Sequence, residues 1–345
     1  MIGGKYVDQG EYGCVFSEEL KCKGKVEKIK GVSDDLSYSK IMLPEEAEIE
    51  FSIAKRISMI PLFRNYFVIS EIMCTPDKKQ KEKEIDKCDI SDKISDFTLL
   101  KMPFGGTSLN RWKPDLKSLD FMKFVIHLVE AGALLNLFGI LHRDLHDKNI
   151  IVKEDVPRII DFNLSIDIKK KSSIKKHSDE LNHRYNVQYF AISPDHILVN
   201  AVSQFNVTPD SVINAIVYKK DIMNYIVNIL GVRKEDMVTS LEKFYYTNKD
   251  THASSNGAWF EKYWNKHDSW AIGMNILSLI NRFSLYPEFS KFKSNILYHV
   301  LRKMCEVSPY DRFDCVQALY HLDKQSYIIR KYANSWLNKV GHGTL

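Results

Sequence analysis

The run HRDLHDKN at residues 142–149, followed by IIDFN at 159–163, constrains this chain more than any other stretch. The sequence around it reads strand, turn, strand. Ile140 and Leu141 lead in, residues 149–153 are apolar and β-branched, Pro157 marks a turn, and residues 158–161 lead back out. A hairpin of this kind presents its polar residues together at one edge, here Asp144, Asn149 and Asp161. Two carboxylates and an amide can orient an attacking hydroxyl and hold magnesium against phosphate oxygens, the two requirements of phosphoryl transfer. The competing reading is a surface hairpin that happens to carry charge, but both motifs in this order and at this spacing are rare by chance.

With 345 residues, 44% of them hydrophobic and 12% aromatic, the chain has enough material for two lobes with sizeable cores. The 49 basic and 44 acidic residues leave a net charge of +5, too mild to argue for nucleic acid as the main partner. Cys14, Cys22, Cys74, Cys88, Cys305 and Cys315 are scattered, without the short paired spacing of zinc sites, so reduced thiols in a cytosol-like compartment are expected. The N-terminus opens no apolar signal core, and glycine does not directly follow Met1, so neither secretion nor myristoylation is expected. The most apolar long stretch, residues 121–141, carries Lys123, His127, Glu130 and Asn136 and reads as a buried helix rather than a membrane span.

The first hundred residues mix short β-rich runs with one helical pattern, whereas everything after Leu116 follows helical periodicity. The apolar run at 97–102 ends in Pro103, Phe104, Gly105 and Gly106, a strand running into a turn, and the boundary between lobes is placed there. Residues 76–93 are mostly lysine, glutamate and aspartate and read as an exposed loop between two strands. A second basic segment, 169–176, follows Asp161, and a phosphate on Ser172 or Ser173 would relieve its repelling lysines. Near the N-terminus, residues 7–15 read as strand, glycine turn, strand. Gly10 and Gly13 there would let backbone N–H groups approach phosphate oxygens. From Pro44 the chain starts like a helix, with acids in its first turn and Ile49, Ile53 and Ile57 at helical spacing.

These segments together resemble a eukaryotic-type protein kinase. Besides HRDLHDKN and IIDFN, the stretch DSWAIG at 268–273 resembles the kinase segment that anchors the catalytic loop from below. Residues 192–195 resemble the end of an activation segment, and residues 309–312 the stretch supplying its arginine partner, which implies a buried Asp195–Arg312 pair. Tyr12 to Phe16, residues 38–42, and the pairs Ile60-Pro61 and Tyr66-Phe67 resemble kinase-like proteins of large nucleocytoplasmic DNA viruses. The fold this implies is α+β and bilobal. A small β-rich N-lobe would span 1–103 and a large helical C-lobe 104–345, with a helical insertion at about 197–265 that is either a partner-docking surface or an elaboration of the lobe.

The resemblance also implies roles. ATP and magnesium are the expected cofactors, and a protein serine or threonine hydroxyl the expected acceptor. Asp144 would accept the acceptor's proton, while Asn149 and Asp161 hold the metal. Gly10, Tyr12, Gly13, Val15 and Met102 would line the nucleotide, and a strand lysine paired with a helical glutamate would hold its phosphates. Lys28, Lys30 and Lys40 compete for that lysine. Lys40 is preferred because a helix follows it at once, with Glu50 matching the kinase spacing better than Glu46. His146 stands where many serine/threonine kinases carry lysine, and Asn163 replaces the usual glycine after Asp161-Phe162. Asparagine tolerates a left-handed backbone, so a turn is expected at Asn163. His142 is expected to pack and hydrogen-bond rather than titrate. A host cytoplasmic location, with packaging in the virion, follows from the viral resemblance alone. Two other function classes stay open: a pseudokinase or virion scaffold that keeps the fold for binding, and a small-molecule or lipid kinase, in which a histidine also follows Asp-Leu.

Overall fold

The computed structural model describes residues 4–10, 13–17, 20–24, 28–31, 37–80, 82–88, 94–170, 186–247, 256–292 and 294–345. These fall into two compact units. The first comprises Met1–Thr107, Ile151–Lys153 and Arg158–Ser165; the second comprises Ser108–Ile150, Glu154–Pro157 and Ile166–Leu345. The chain therefore returns to the first unit after leaving it. The return is held by Ile159, which forms a parallel bridge to Phe67 and accepts the Val68 N–H at 3.0 Å, and by Phe162, whose ring meets that of Phe67 edge-on at 6.0 Å. A boundary drawn from local composition at residue 103 does not anticipate this, because the contact joins residues far apart in sequence.

In the first unit β1 (Lys5–Gly10), β2 (Gly13–Ser17), β3 (Ser37–Met42), β4 (Ile72–Cys74) and β5 (Thr98–Pro103) form an antiparallel sheet in the order β1-β2-β3-β5-β4. Side chains alternate across a strand, and antiparallel partners directly opposite share a face. The register sets Val15 opposite Lys40, Lys40 opposite Leu100, and Tyr38 opposite Met102, so one face carries Val15, Tyr38, Lys40, Leu100 and Met102. The other face presents Cys14, Phe16, Ile41 and Leu99, which pack with Leu20, Cys22, Cys88 and Phe97 into an apolar core. Helix α1 (Pro44–Ile57) has proline in its first turn, Glu45 and Glu46 at its N-terminal end, and Lys55 and Arg56 in its last turn, each sign placed where the helix dipole favours it. Its Ala47 packs on Met42 and Leu100.

Four of the six cysteines are paired, contrary to the expectation of reduced thiols. Cys14 is bonded to Cys88 and Cys22 to Cys74, with Cα atoms 5.9 and 5.8 Å apart and sequence separations of 74 and 52 residues. Cys305 and Cys315 are free and buried. The first disulfide also revises residues 76–93. That stretch does connect two strands, but Glu82–Ile85 is helical, Cys88 is buried, and the Glu84 carboxylate accepts the Tyr6 N–H at 2.8 Å. It is tied to the β1–β2 hairpin rather than left loose.

The second unit is helical. Its central helix, Phe121–Phe138, is capped by Asp120, whose side chain accepts the Lys123 N–H at 3.0 Å. This is the helix among the described residues that is long and apolar enough to cross a membrane by length and composition, and 61% of it is buried inside the protein. Gly132 shows how tightly: a Cβ there would lie 2.5 Å from Ile272 Cδ1 and 2.6 Å from Cys315 Sγ, so neighbouring helices approach its backbone directly. Within the stretch expected as an insertion, helices Pro209–Asn214 and Met223–Leu230 bury Val212, Ile213, Met223 and Ile226. Asp195 and Arg312 form a fully buried pair at 2.7 Å. Trp259 Nε1 donates to the second Asp195 oxygen at 3.1 Å, and the guanidinium also donates to the Glu306 and Val307 carbonyls. A buried pair needs every remaining donor and acceptor met to offset its desolvation, and this one has that support.

Candidate active site

Of the three lysines, Lys40 is the one that the described residues pair with Glu50. From β3 its Nζ donates to Glu50 Oε2 on α1 at 2.9 Å and to Asp161 Oδ1 at 3.0 Å, all within the first unit. Lys40 and Glu50 side chains are 7% and 6% exposed, so this is a buried ionic cluster. Lys28 and Lys30 are exposed and lie outside the sheet. The ten-residue separation of Lys40 and Glu50 is bridged because the helix starts almost where β3 ends, which brings Glu50 back over the strand. Glu46 is only partly buried, whereas Glu50 Oε1 also accepts from the Ser70 hydroxyl at 3.0 Å. Burial alone would lower the Lys40 pKa, but the Asp161 and Glu50 carboxylates outweigh it and hold it above its ordinary value. The ammonium is therefore charged, while burial pushes the Glu50 pKa up against the pull of Lys40.

The Asp161 side chain is 34% exposed, and its backbone is left-handed at φ 61°. Asn163 lies in a turn, as expected, closed by the Ser165 N–H donating to the Phe162 carbonyl at 3.1 Å, although its own φ is not positive. The left-handed residue is Asp161, two positions earlier, and Asn163 is buried, with no hydrogen-bond partner for its amide among the described residues. Aspartate, like asparagine, is among the few residues that tolerate αL.

Nearer the N-terminus, Gly10 pairs with Gly13 across the hairpin, and Tyr12 lies outside the described residues. A Cβ on Gly13 would meet the Ile41 carbonyl oxygen at 2.0 Å, so the β2 backbone approaches β3 closer than any side chain permits. Gly10 has open space around it. Val15 and Met102, both partly buried, flank Lys40 on its own face of the sheet.

The second unit builds the loop that carries Asp144. Asp268, at the start of helix His267–Phe283, accepts the His142 N–H at 2.7 Å and the Arg143 N–H at 3.0 Å. Arg143 has φ 72°, a conformation that costs a non-glycine residue about 1–2 kcal/mol, and the buried carboxylate holds it there. Burial pushes the Asp268 pKa up to about 6 against the pull of those two N–H groups. His142 is fully buried, and its Nδ1 accepts the Asp144 N–H at 3.2 Å, a packing role. Asn275 Nδ2 donates to the Leu145 carbonyl at 2.9 Å from the same helix.

Asn149 Nδ2 donates to the Asp144 carbonyl at 2.9 Å and to Asp144 Oδ2 at 3.1 Å, which leaves its Oδ1 as the atom a metal would take. The other Asp144 oxygen, Oδ1, accepts a hydrogen bond from the Tyr189 hydroxyl and lies 3.8 Å from His146 Nε2. Ser70 and Tyr189 were not foreseen. Neither lies in a motif, and what joins them to Glu50 and Asp144 is contact across 20 and 45 residues. The serines proposed for phosphorylation, Ser172 and Ser173, lie outside the described residues.

The donors suit magnesium and a nucleotide triphosphate. Magnesium takes few protein oxygens and completes its shell with phosphates and water, so the Asp161 carboxylate of the first unit and the Asn149 amide oxygen of the second are each of a kind it accepts. Residues 65–195 match the family model of protein tyrosine and serine/threonine kinases. No curated protein matches the chain. The fold is the bilobal α+β fold of protein kinases, and the match supports a kinase-type phosphotransfer function.

Proposed function

We propose that the protein is an active, ATP- and magnesium-dependent protein kinase that phosphorylates serine or threonine hydroxyls. The observation that carries this is the buried Lys40, charged and bonded to both Glu50 and Asp161. A chain that kept the fold only for binding would have no need to hold a lysine and its glutamate out of water beside a partly exposed aspartate. This favours catalysis over the pseudokinase or scaffold reading. The small-molecule alternative is disfavoured by the Asp195–Arg312 pair, whose segments resemble those that support peptide binding in protein kinases.

In this reading Lys40 holds the α- and β-phosphates, and Glu50 fixes the lysine's position. Asp144 accepts the proton of the acceptor hydroxyl and aims it, with its backbone set by Asp268 and its carboxylate by Asn149. Asp161 and Asn149 would each offer magnesium one oxygen, and the ion would supply charge neutralisation of the transferring phosphoryl group. Two disulfides would not persist in a reducing cytosol, so together with the viral resemblance they favour residence in a particle over a purely cytoplasmic life.

The test is incubation of the purified protein with labelled ATP, magnesium and a generic protein, beside Asp144→Asn, Asp161→Ala and Lys40→Met. Each variant is expected to lose roughly a hundredfold or more of the labelling. Equal labelling by wild type and all three would remove the catalytic assignment.

A further inference from the structure

The two disulfides of the first unit are nested in sequence and unequal in access. Cys22 and Cys74 both lie between Cys14 and Cys88, so the first bond closes a loop inside the loop of the second. Cys14 and Cys88 are 0% and 4% exposed and pack in the apolar core with Phe16, Ile41 and Leu99. Cys74 is partly exposed between the exposed Met73 and Thr75, and Cys22 is flanked by the exposed Lys21 and Lys23. A thiolate must reach one disulfide sulfur to attack it, and it displaces the other faster when that sulfur leaves as a stabilised anion. Cys74 offers the approach, and the ammonium groups on either side of Cys22 favour the negative charge that departs there. The inner bond also has a place in the architecture. In the sheet β2 and β4 are separated by β3 and β5, yet the chain after β2 meets the chain after β4. Cys22 forms an antiparallel bridge with Pro76, the Lys23 N–H donates to the Thr75 carbonyl and the Asp77 N–H to the Lys21 carbonyl, both at 2.8 Å, and the Gln80 amide donates to that same carbonyl at 2.7 Å. Leu20, fully buried beside Cys14 and Phe16, ties this strap to β3 through its N–H, which donates to Ser39 Oγ at 2.8 Å. The chain leaving β2 is thus fastened covalently to the far edge of the sheet.

We infer that the Cys22–Cys74 pair is a site of thiol–disulfide exchange with a dithiol reductant, and that its oxidised form holds β2 where nucleotide binding needs it. The link to the nucleotide rests on the kinase reading above; the exchange does not. In the first step a thiolate of the reductant bonds to Cys74 Sγ, the bond between the two cysteine sulfurs breaks, and Cys22 Sγ leaves with the electron pair. The second thiolate of the reductant then attacks its own sulfur in the mixed disulfide and Cys74 Sγ leaves. Both cysteine sulfurs take up the protons that the reductant's thiols released, so the protein gains two electrons and the dithiol becomes a disulfide. With the bond open, the strap relies on hydrogen bonds that compete with water, while Cys14–Cys88 keeps the core closed. β2 carries Val15 on the face of Lys40 and Gly13 in close approach to the Ile41 carbonyl, so freedom at its end takes both out of register in a fraction of molecules. Apparent nucleotide affinity falls in proportion to the competent fraction that remains. A reducing compartment would in this way weaken the nucleotide site without unfolding the unit, and an oxidising one would restore it.

The experiment uses the full chain, purified with its disulfides intact and titrated with dithiothreitol. Free thiols are alkylated at each point and located by peptide mass spectrometry. The same samples are melted in a calorimeter and titrated with magnesium and ATP carrying a fluorescent ribose label. Cys22 and Cys74 should become alkylated at roughly tenfold less reductant than Cys14 and Cys88. At that first step the first unit should still melt cooperatively, lower by roughly 10 °C. Nucleotide binding should weaken by roughly tenfold and recover on reoxidation. Cys22→Ser/Cys74→Ser should bind weakly with or without dithiothreitol. Release of Cys14 and Cys88 first, or of all four cysteines in one step, overturns the exchange site. Equal affinity before and after the first step overturns the control of binding and leaves the kinase reading intact. Ordered release with no nucleotide bound by the oxidised chain removes the kinase reading and the control with it, and supports the exchange site alone.

Discussion

Lys40→Met is the perturbation whose outcome the structure specifies most fully. The Lys40 ammonium lies 2.9 Å from Glu50 and 3.0 Å from Asp161. At an effective dielectric of about 20, a pair at that distance attracts by about 5–6 kcal/mol before desolvation is subtracted. Asp161, a third exposed, can regain water when the lysine is removed; Glu50, 6% exposed, keeps only Ser70. Stranding one buried charge in this way costs about 3–5 kcal/mol. In a unit the size of the first, each kcal/mol is worth about 4 °C, so its transition should fall by about 12–20 °C in calorimetry at pH 7.

The pH dependence has a definite sign. In the wild type the Lys40 pKa is raised above its unfolded value, so its contribution is fully present below about 10.5 and constant between pH 5 and 8. Burial already raises the Glu50 pKa in the wild type against the pull of Lys40; without the lysine it rises further, so the folded variant binds more protons and loses more stability than wild type as pH rises above the unfolded glutamate value of about 4.3. Lys40→Met should therefore melt higher at pH 5 than at pH 8, and Lys40→Met/Glu50→Gln should recover much of the loss. Melting of Lys40→Met within about 2 °C of wild type at pH 7, or a double variant less stable than the single, would refute the buried-cluster argument.

Three further outcomes follow from other contacts. Asp268, with its folded pKa raised to about 6, makes the fold lose about 3 kcal/mol as pH rises from about 4 to about 6, so denaturant unfolding of Asp268→Asn should lack that slope. The same variant should lose activity, because the His142 and Arg143 N–H groups lose a charged acceptor. Arg312→Met should destabilise the second unit by about 3–5 kcal/mol in urea titration, and Asp195→Leu/Arg312→Met should recover part of it. Gly13→Ala must move β2 away from the Ile41 carbonyl and should cost about 1–3 kcal/mol and weaken nucleotide binding by fluorescence titration, whereas Gly10→Ala, with open space around it, should bind nearly as wild type.

The chemistry was legible wherever it is written in consecutive residues. Asp144 and Asn149 are five residues apart in one loop, so their spacing in sequence nearly fixes their spacing in space. Helix α1 was readable for a similar reason, since proline, acids and apolar residues at a period of 3.6 act within a few turns. The choice of Lys40 could be argued from local pattern, but only strand register could exclude Lys28 and Lys30, because register places Lys40 between Val15 and Leu100 on the face that α1 covers.

Sequence by itself determined the α+β class and most element types, because these depend on periodicity and short-range spacing. Tertiary structure alone decided which distant residues meet. It joined Cys14 to Cys88 and Cys22 to Cys74, returned Asp161 to the unit that holds Lys40, gave Asp161 its left-handed backbone, and set Tyr189 against Asp144. Each of these is a contact across tens of residues or more, or a backbone state imposed by such contacts. Local propensity carries almost no information about them, since the free energy that selects them comes from packing and pairing available only once the chain has folded.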